Sequence, residues 1–415
     1  MSVLASAARQ LLAPVVVPAL LGWERLESGV SFYPRSKEVN ENPYPLYARM
    51  RERDPVHRMR LLDAWVVTRY RDVDLILRDH GRFSSSMQQK AVIPESARSV
   101  SMLNLDPPAH TRVRSLVSMA FTNSAVQRLR PRIQAIADRL LDEVAGQERI
   151  DLISAIAHPL PVMVMAEMLG IATDDAKQFQ DWSDDLAASI DPFLTSRQER
   201  RANEARRELS EYFGRMLEVR RKDPRDDIIS ALLAAREERD KLSPEELRGT
   251  LNLLLVAGNE TTKNLIGNGM LALLKHPAQM RLLRNDPGLM GAAVQEFLRF
   301  DAPVQTDART AVHDVELGGK LIRSGTKILT VIGAANRDPA VFENPDSLDI
   351  RRERRPHLSF GRGIHYCLGA SLAELEAEIA FASILERYPS IRLVADPAHV
   401  RNTVLRGVKD LWVGV

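Results

Sequence analysis

The sequence predicts a mainly α-helical fold with a small β region, an α+β chain folded as a single large domain. Two observations carry that expectation. From about Arg112 to Met290 apolar residues recur at helical spacing in long periods broken by Pro and Gly, as in 133–144, 161–169 and 202–219. Between Val315 and Ile332 short apolar runs instead flank Gly318-Gly319 and Ser324-Gly325, the pattern of hairpins. No low-complexity linker, internal repeat or break in composition divides the 415 residues, although the length alone would allow two or three domains.

Taken in order, the chain begins with an apolar run, Leu11 to Leu21, preceded by Arg9. It is shorter than a bilayer-spanning helix, Pro14 and Pro18 interrupt it, and Gly22-Trp23-Glu24-Arg25 follows where a signal peptide would need a small-residue cleavage site. Residues 1–39 are therefore expected to form an arm packed on a domain of 40–415, with a weak peripheral membrane contact as the lesser alternative. Asn42-Pro43-Tyr44-Pro45 opens a helix that runs to Arg53, Ala64 to Thr68 reads as a short strand, and Val73 to Leu77 lies on an amphipathic helix beside it. A hydrophobic content of 45% is ample for a core, and 57 basic against 55 acidic residues leave a charge of +2 that asks for no nucleic acid. With one cysteine there is no intrachain disulfide, which suits a reducing, cytoplasmic setting.

That cysteine, Cys367, sits in Phe360-Gly361-Arg362-Gly363-Ile364-His365-Tyr366-Cys367-Leu368-Gly369, and a helical pattern follows through Leu385. A thiol before the positive end of a helix dipole is expected to favour its thiolate. Gly361 and Gly363 would let the backbone turn tightly beside a flat cofactor, and amides near Leu368 and Gly369 could point at the sulfur. His357, His365 and Cys367 could offer three zinc ligands, but a structural zinc wants four and no second cysteine exists.

The loop resembles the haem-binding loop of the cytochrome P450 family, Phe, Gly, any, Gly, any, His, any, Cys, any, Gly, at all six specified positions. The resemblance spans roughly residues 40 to 412. It implies the cytochrome P450 fold, haem b as cofactor, and Cys367 as the axial ligand of its iron, with Phe360 and Gly361 against the porphyrin.

Leu251 to Leu274 is strongly apolar, and Ala257-Gly258-Asn259-Glu260-Thr261-Thr262 stands in its middle. Gly258 costs about 0.5 to 1 kcal/mol relative to alanine inside a helix. In exchange, Ala257 and Gly258 would leave room for a flat ligand or dioxygen. Thr261 is four residues from the Ala257 carbonyl and could bond back to it, bending the helix. The resemblance makes Glu260 and Thr261 an acid and alcohol pair that relays protons during oxygen activation. Peroxide-driven relatives carry an arginine and proline there, so the pair argues for O2 and a reductant. It also disfavours a noncatalytic haem protein.

His110 and Arg114 lie one turn apart after Asp106-Pro107-Pro108 and share a helix face. Partly buried haem propionates need such partners, and the resemblance assigns them to His110, Arg114, Arg309 and His365, leaving Arg112 as a surface charge. Glu296 and Arg299 form a helical pair that, by resemblance, bonds Arg352 and supports the cysteine loop, while Asn336-Arg337-Asp338-Pro339 lies between. Arg351, Arg352, Arg354, Arg355 and Arg362 against Glu353 give a basic stretch of net +4. Such a field would steer an acidic electron carrier.

No flavin, nicotinamide or iron–sulfur domain fits on the chain, so electrons are expected from a separate ferredoxin or flavodoxin with its reductase. The expected substrate is an apolar small molecule. Its pocket would be lined by Met102, Leu103, Leu253, Leu254 and Val256 and, by the resemblance, by the 302–304, 85–104 and 192–194 segments, with Lys90 or Arg98 available to a substrate carboxylate. The reaction implied is monooxygenation, that is C–H hydroxylation or epoxidation, by an oxidoreductase using O2.

Overall fold

The computed structural model describes residues 3–86, 101–171, 175–237, 242–353 and 355–415. Lys90, Arg98 and Arg354 lie outside the described residues. The helices are α1 (Val3–Ser28), α2 (Lys37–Glu41), α3 (Tyr44–Arg53), α4 (Tyr70–Arg78), α5 (Ala109–Ser118), α6 (Asn123–Arg128), α7 (Arg130–Asp142) and α8 (Pro159–Met168). They continue with α9 (Ala176–Ala188), α10 (Ser196–Lys222), α11 (Ile228–Glu237), α12 (Pro244–Lys275), α13 (Pro277–Asn285), α14 (Met290–Phe300), α15 (Ile332–Ala335) and α16 (Ala370–Arg387).

The strands are β1 (Val56–Met59), β2 (Ala64–Val67), β3 (Phe83–Ser84), β4 (Arg149–Asp151), β5 (Thr306–Ala311), β6 (Val315–Leu317), β7 (Lys320–Ile322), β8 (Lys327–Val331), β9 (Arg392–Leu393) and β10 (Trp412–Gly414). Five of them form one sheet in the order β1-β2-β8-β5-β3, with β2 and β8 parallel and Ala64 opposite Lys327. The hairpin expected near Gly318-Gly319 is β6–β7, and both glycines take positive φ, +58° and +75°. Side chains other than glycine rarely adopt that backbone, which is why the turn falls there.

The long α12 is the axis of the helical side. Its start is fixed by a reciprocal cap in which Ser243 Oγ accepts from the Glu246 N–H while the Glu246 carboxylate accepts from the Ser243 N–H at 2.8 Å. Such caps are worth about 1 kcal/mol. Gly269 lets two other helices close on α12, because a Cβ there would lie 2.5 Å from Phe381 of α16 and 2.9 Å from Phe297 of α14. The resulting core holds Leu255, Ile266, Met270, Phe297 and Phe381, all essentially buried. It sets α12 and α16 as neighbours, and these two elements frame the site described next.

The N-terminal run departs from its expectation. Pro14 and Pro18 do not break it, and α1 is continuous from Val3 to Ser28. Prolines four apart remove their N–H groups from the same side of a helix, so the remaining ladder can carry through. Near its end Glu24 is buried, accepting from the Arg60 N–H at 2.7 Å and lying 3.3 Å from His57 Nε2. No helix among the described residues is long and apolar enough to cross a membrane.

Candidate functional site

Gly361 and Gly363 of the cysteine loop take φ of +70° and +66°. At Gly363 a Cβ would lie 2.8 Å from the Arg78 Cα and the Leu77 oxygen, so the loop rests directly on the end of α4. The Cys367 N–H donates back to the Phe360 oxygen at 2.8 Å, closing the turn before α16. Behind the loop, Asn336 accepts from the Leu358 N–H at 2.7 Å and donates to Ser359 Oγ at 2.8 Å. Ser359 Oγ in turn donates to the Leu298 oxygen of α14 at 2.7 Å.

One layer further back, the expected carboxylate–guanidinium cluster is present. Arg299 grips Glu296 through two bonds of 2.7 Å, and Arg352 Nε reaches both carboxylate oxygens at 3.2 Å. Arg299 also donates to the Asn336, Pro345 and Ser347 oxygens. A buried charge cluster this fully bonded fixes the meander before the cysteine.

Cys367 is exposed, although protein surrounds it closely enough that burial pushes its thiol up. The Gly369 N–H and the Arg114 charge pull the other way without winning, and Glu374 adds to the rise. The low thiol pKa expected from the helix dipole is therefore not reached by the chain alone, because desolvation outweighs the amide and the guanidinium. Tyr366 and Gly363 are exposed beside Cys367, and Phe360 and Gly361 are half-buried.

Next to this loop the structure gathers the four expected anion partners. The His110 and His365 rings lie 4.4 Å apart between centroids. Arg114 donates to the Tyr366 oxygen at 2.6 Å. Burial, then the charges of Arg309 and His110, hold His365 down at about 4. Burial and Arg114 likewise lower His110. Both ring nitrogens of His110 and Nε2 of His365 are buried without a hydrogen-bond partner among the described residues. Unpartnered ring nitrogens beside two guanidiniums suit a group that brings carboxylates into the protein. Arg309 is itself turned onto Asp307 at 2.8 Å and the Ala308 oxygen at 2.8 Å.

On α12, Ala257 is the sole exposed residue between Glu246 and Leu274. Thr261, one turn on, donates from Oγ1 to the Ala257 oxygen at 2.6 Å, the back-bond expected from their spacing. This face is open and polar within an otherwise packed helix. Glu260 points to another side, with Oε2 2.6 Å from Lys263 Nζ and Oε1 accepting from Asn264 Nδ2 at 3.3 Å. Glu260, Lys263 and Asn264 line a cavity of about 180 Å³ together with Asp184, Arg401 and Asn402.

Several expectations need correction. Gly258 does not open onto a ligand space: a Cβ there would lie 2.7 Å from Met165 Cε of α8. Its neighbour Ala257 is turned about 100° away around the helix and takes the open face instead. Arg112 is not a free surface charge but pairs with Glu246 at the start of α12. Of the residues expected in a pocket, Phe193 and Leu194 line the cavity beside Glu260, Met102, Leu254 and Ala302 are buried, and Leu103 is 53% exposed.

The basic stretch is also less free than its sequence count. Arg352 belongs to Glu296, Arg362 lies 3.5 Å from Asp74, and Arg355 3.6 Å from Glu353. Sequence reasoning missed Lys263, although an acid followed three residues later by a base inside an apolar helix was a legible signal.

A family model described as Cytochrome P450 matches residues 37–396. Among curated proteins, Cytochrome P450 CYP107DY1 of Priestia megaterium is 44% identical over 369 residues, covering 84% of this chain and 89% of that protein. Among solved structures, P450BioI in complex with hexadec-9Z-enoic acid ligated acyl carrier protein aligns with a TM-score of 0.86 at 38% identity, covering 92% of this chain and 100% of that one. The myxobacterial cytochrome P450 CYP267B1 in complex with myristic acid aligns with a TM-score of 0.86 at 41% identity, covering 92% and 98%.

Proposed function

The chain belongs to the cytochrome P450 family, haem b monooxygenases of mainly helical fold, and on that premise we propose that Cys367 is the axial ligand and Glu260 with Thr261 the proton relay. The observation that carries this reading is an exposed Cys367 in a loop anchored by its own turn, by Asn336 behind it and by the end of α4. When bound, haem supplies the activation of dioxygen and the oxidising equivalent. The residues around it hold, orient and exclude. The Gly369 N–H and Arg114 would moderate the charge on a sulfur whose thiolate burial disfavours. His110, Arg114, Arg309 and His365 would hold the propionates, with Arg309 exchanging its Asp307 contact for that role. Phe360 and Gly361 would border the porphyrin on the cysteine side and Ala257 on the other.

Thr261 spends its own proton on the Ala257 oxygen, so its lone pairs remain to accept a donor on the open face. Glu260 collects protons from the polar cavity and passes them toward Thr261. An apolar small molecule is the proposed substrate, with fatty acyl chains the first class to test, since two solved relatives are described with such ligands. Electrons would come from a separate ferredoxin or flavodoxin and its reductase.

The test is a carbon monoxide difference spectrum of the dithionite-reduced protein beside Cys367→Ser. A strongly red-shifted Soret band lost in the variant is the expected result. A band typical of histidine-ligated haem in both proteins would refute the ligand assignment.

A further inference from the structure

We propose that Lys263 is a positioning residue that fixes the Glu260 carboxylate on the polar-cavity side of α12; this rests on the relay role given above to Glu260. Glu260 and Thr261 are adjacent in sequence but make no hydrogen bond to each other in the structure. The threonine hydroxyl donates to Ala257, and the carboxylate is held by the next turn of the helix through Lys263 Nζ at 2.6 Å and Asn264 Nδ2 at 3.3 Å. The ion pair is not a solvated surface contact, since each side chain is only 12% exposed. Removing one partner from such a pair leaves the other a largely buried charge without its direct counter-ion, so the two depend on each other.

The two holders differ in freedom. Asn264 is 3% exposed, and Gly407 of the C-terminal segment closes over it, because a Cβ at that glycine would lie 1.8 Å from Asn264 Oδ1. It forms a fixed wall. Lys263 has a four-carbon stem and a single charged tip that sits on the carboxylate at 2.6 Å and holds it on the cavity side. Asp184, Arg401 and Asn402 line the same cavity and give it a polar lining in which water can be held. Lys263 therefore sets where Glu260 takes up its protons. Without the lysine the carboxylate loses its fixed orientation and proton supply falters. Dioxygen then takes two electrons from NAD(P)H and two protons and leaves as hydrogen peroxide.

The experiment compares Lys263→Met, Lys263→Arg, Glu260→Gln and the double variant Glu260→Gln/Lys263→Met. One readout is thermal stability. The other is hydrogen peroxide formed per NAD(P)H with ferredoxin, its reductase and myristic acid as probe. Lys263→Met is expected to lower the melting temperature by about 3 °C in the parent but far less in the Glu260→Gln background, because the uncompensated carboxylate is then gone. Lys263→Met should raise peroxide per NAD(P)H about five-fold, and Lys263→Arg should restore most of the coupling.

Additive melting temperatures would overturn the proposal, as would a coupled stability change with unchanged peroxide yield, which would make the lysine structural alone. The double variant carries neither charge and keeps the stability cycle readable if Lys263→Met accumulates poorly. If Glu260→Gln by itself leaves peroxide yield unchanged, the relay reading fails, an outcome separate from failure of the lysine.

Discussion

Glu376 is a carboxyl kept neutral by its surroundings. It is 2% exposed on α16, Oε2 has no partner among the described residues, and burial pushes it up to about 8 from an ordinary 4.5. The folded chain therefore holds this proton where the unfolded chain has released it. Folding stability contributed by Glu376 is present below about pH 4.5 and is lost as pH rises toward 8. Replacing it by glutamine removes the ionisation but keeps the shape. Glu376→Gln is expected to melt like the parent at pH 5 and to be more stable at pH 8, by a few kcal/mol at most. Urea melts at the two pH values check it, and identical pH dependence for both proteins would contradict the assignment.

The elements around the cysteine loop matter more than any single contact within it. α14 presents Glu296 and Arg299 to the meander, and Asn336 at the end of α15 ties residues 358 and 359. Arg299 is 2% exposed, and its nearest carboxylate is Glu296 at 2.7 Å. Glu296→Ala would strand two guanidiniums, Arg299 and Arg352, with no carboxylate between them. The expected cost is about 3–5 kcal/mol, seen as low soluble yield and loss of haem incorporation, while Arg352→Lys should be milder. Normal yield and a full haem spectrum in Glu296→Ala would show that the loop is held by other means.

For the molecule as a whole, the proposed electron carrier would meet a cysteine side whose net charge the fold decides. The sequence counts five arginines between 351 and 362, yet Arg352 and Arg362 face internal carboxylates and Arg355 has Glu353. Arg351 is exposed, and no side-chain partner is described for it. Reversing Arg351→Glu is expected to slow reduction by an acidic ferredoxin up to about ten-fold at low salt, with the difference vanishing as ionic strength rises. Stopped-flow reduction at two salt concentrations measures this. Equal rates at low salt would place the docking surface elsewhere.

What the sequence determined by itself is what local chemistry dictates. Helical period, the Gly318-Gly319 turn and the glycines around Cys367 were legible because spacing and positive φ act over a few residues. The cluster of Glu296, Arg299 and Arg352 and the gathering of His110, Arg114, Arg309 and His365 were legible only through family resemblance, since they lie far apart along the chain.

Tertiary structure decided the rest, because it alone sets which face of a helix meets a neighbour and which charge meets another. It turned Gly258 onto Met165 instead of onto a ligand, and it paired Arg112 with Glu246. It raised the Cys367 thiol where the helix dipole suggested the opposite, because desolvation depends on every atom packed around the sulfur. It also buried Lys263 against Glu260, converting an ordinary helical charge spacing into a contact at the edge of the site.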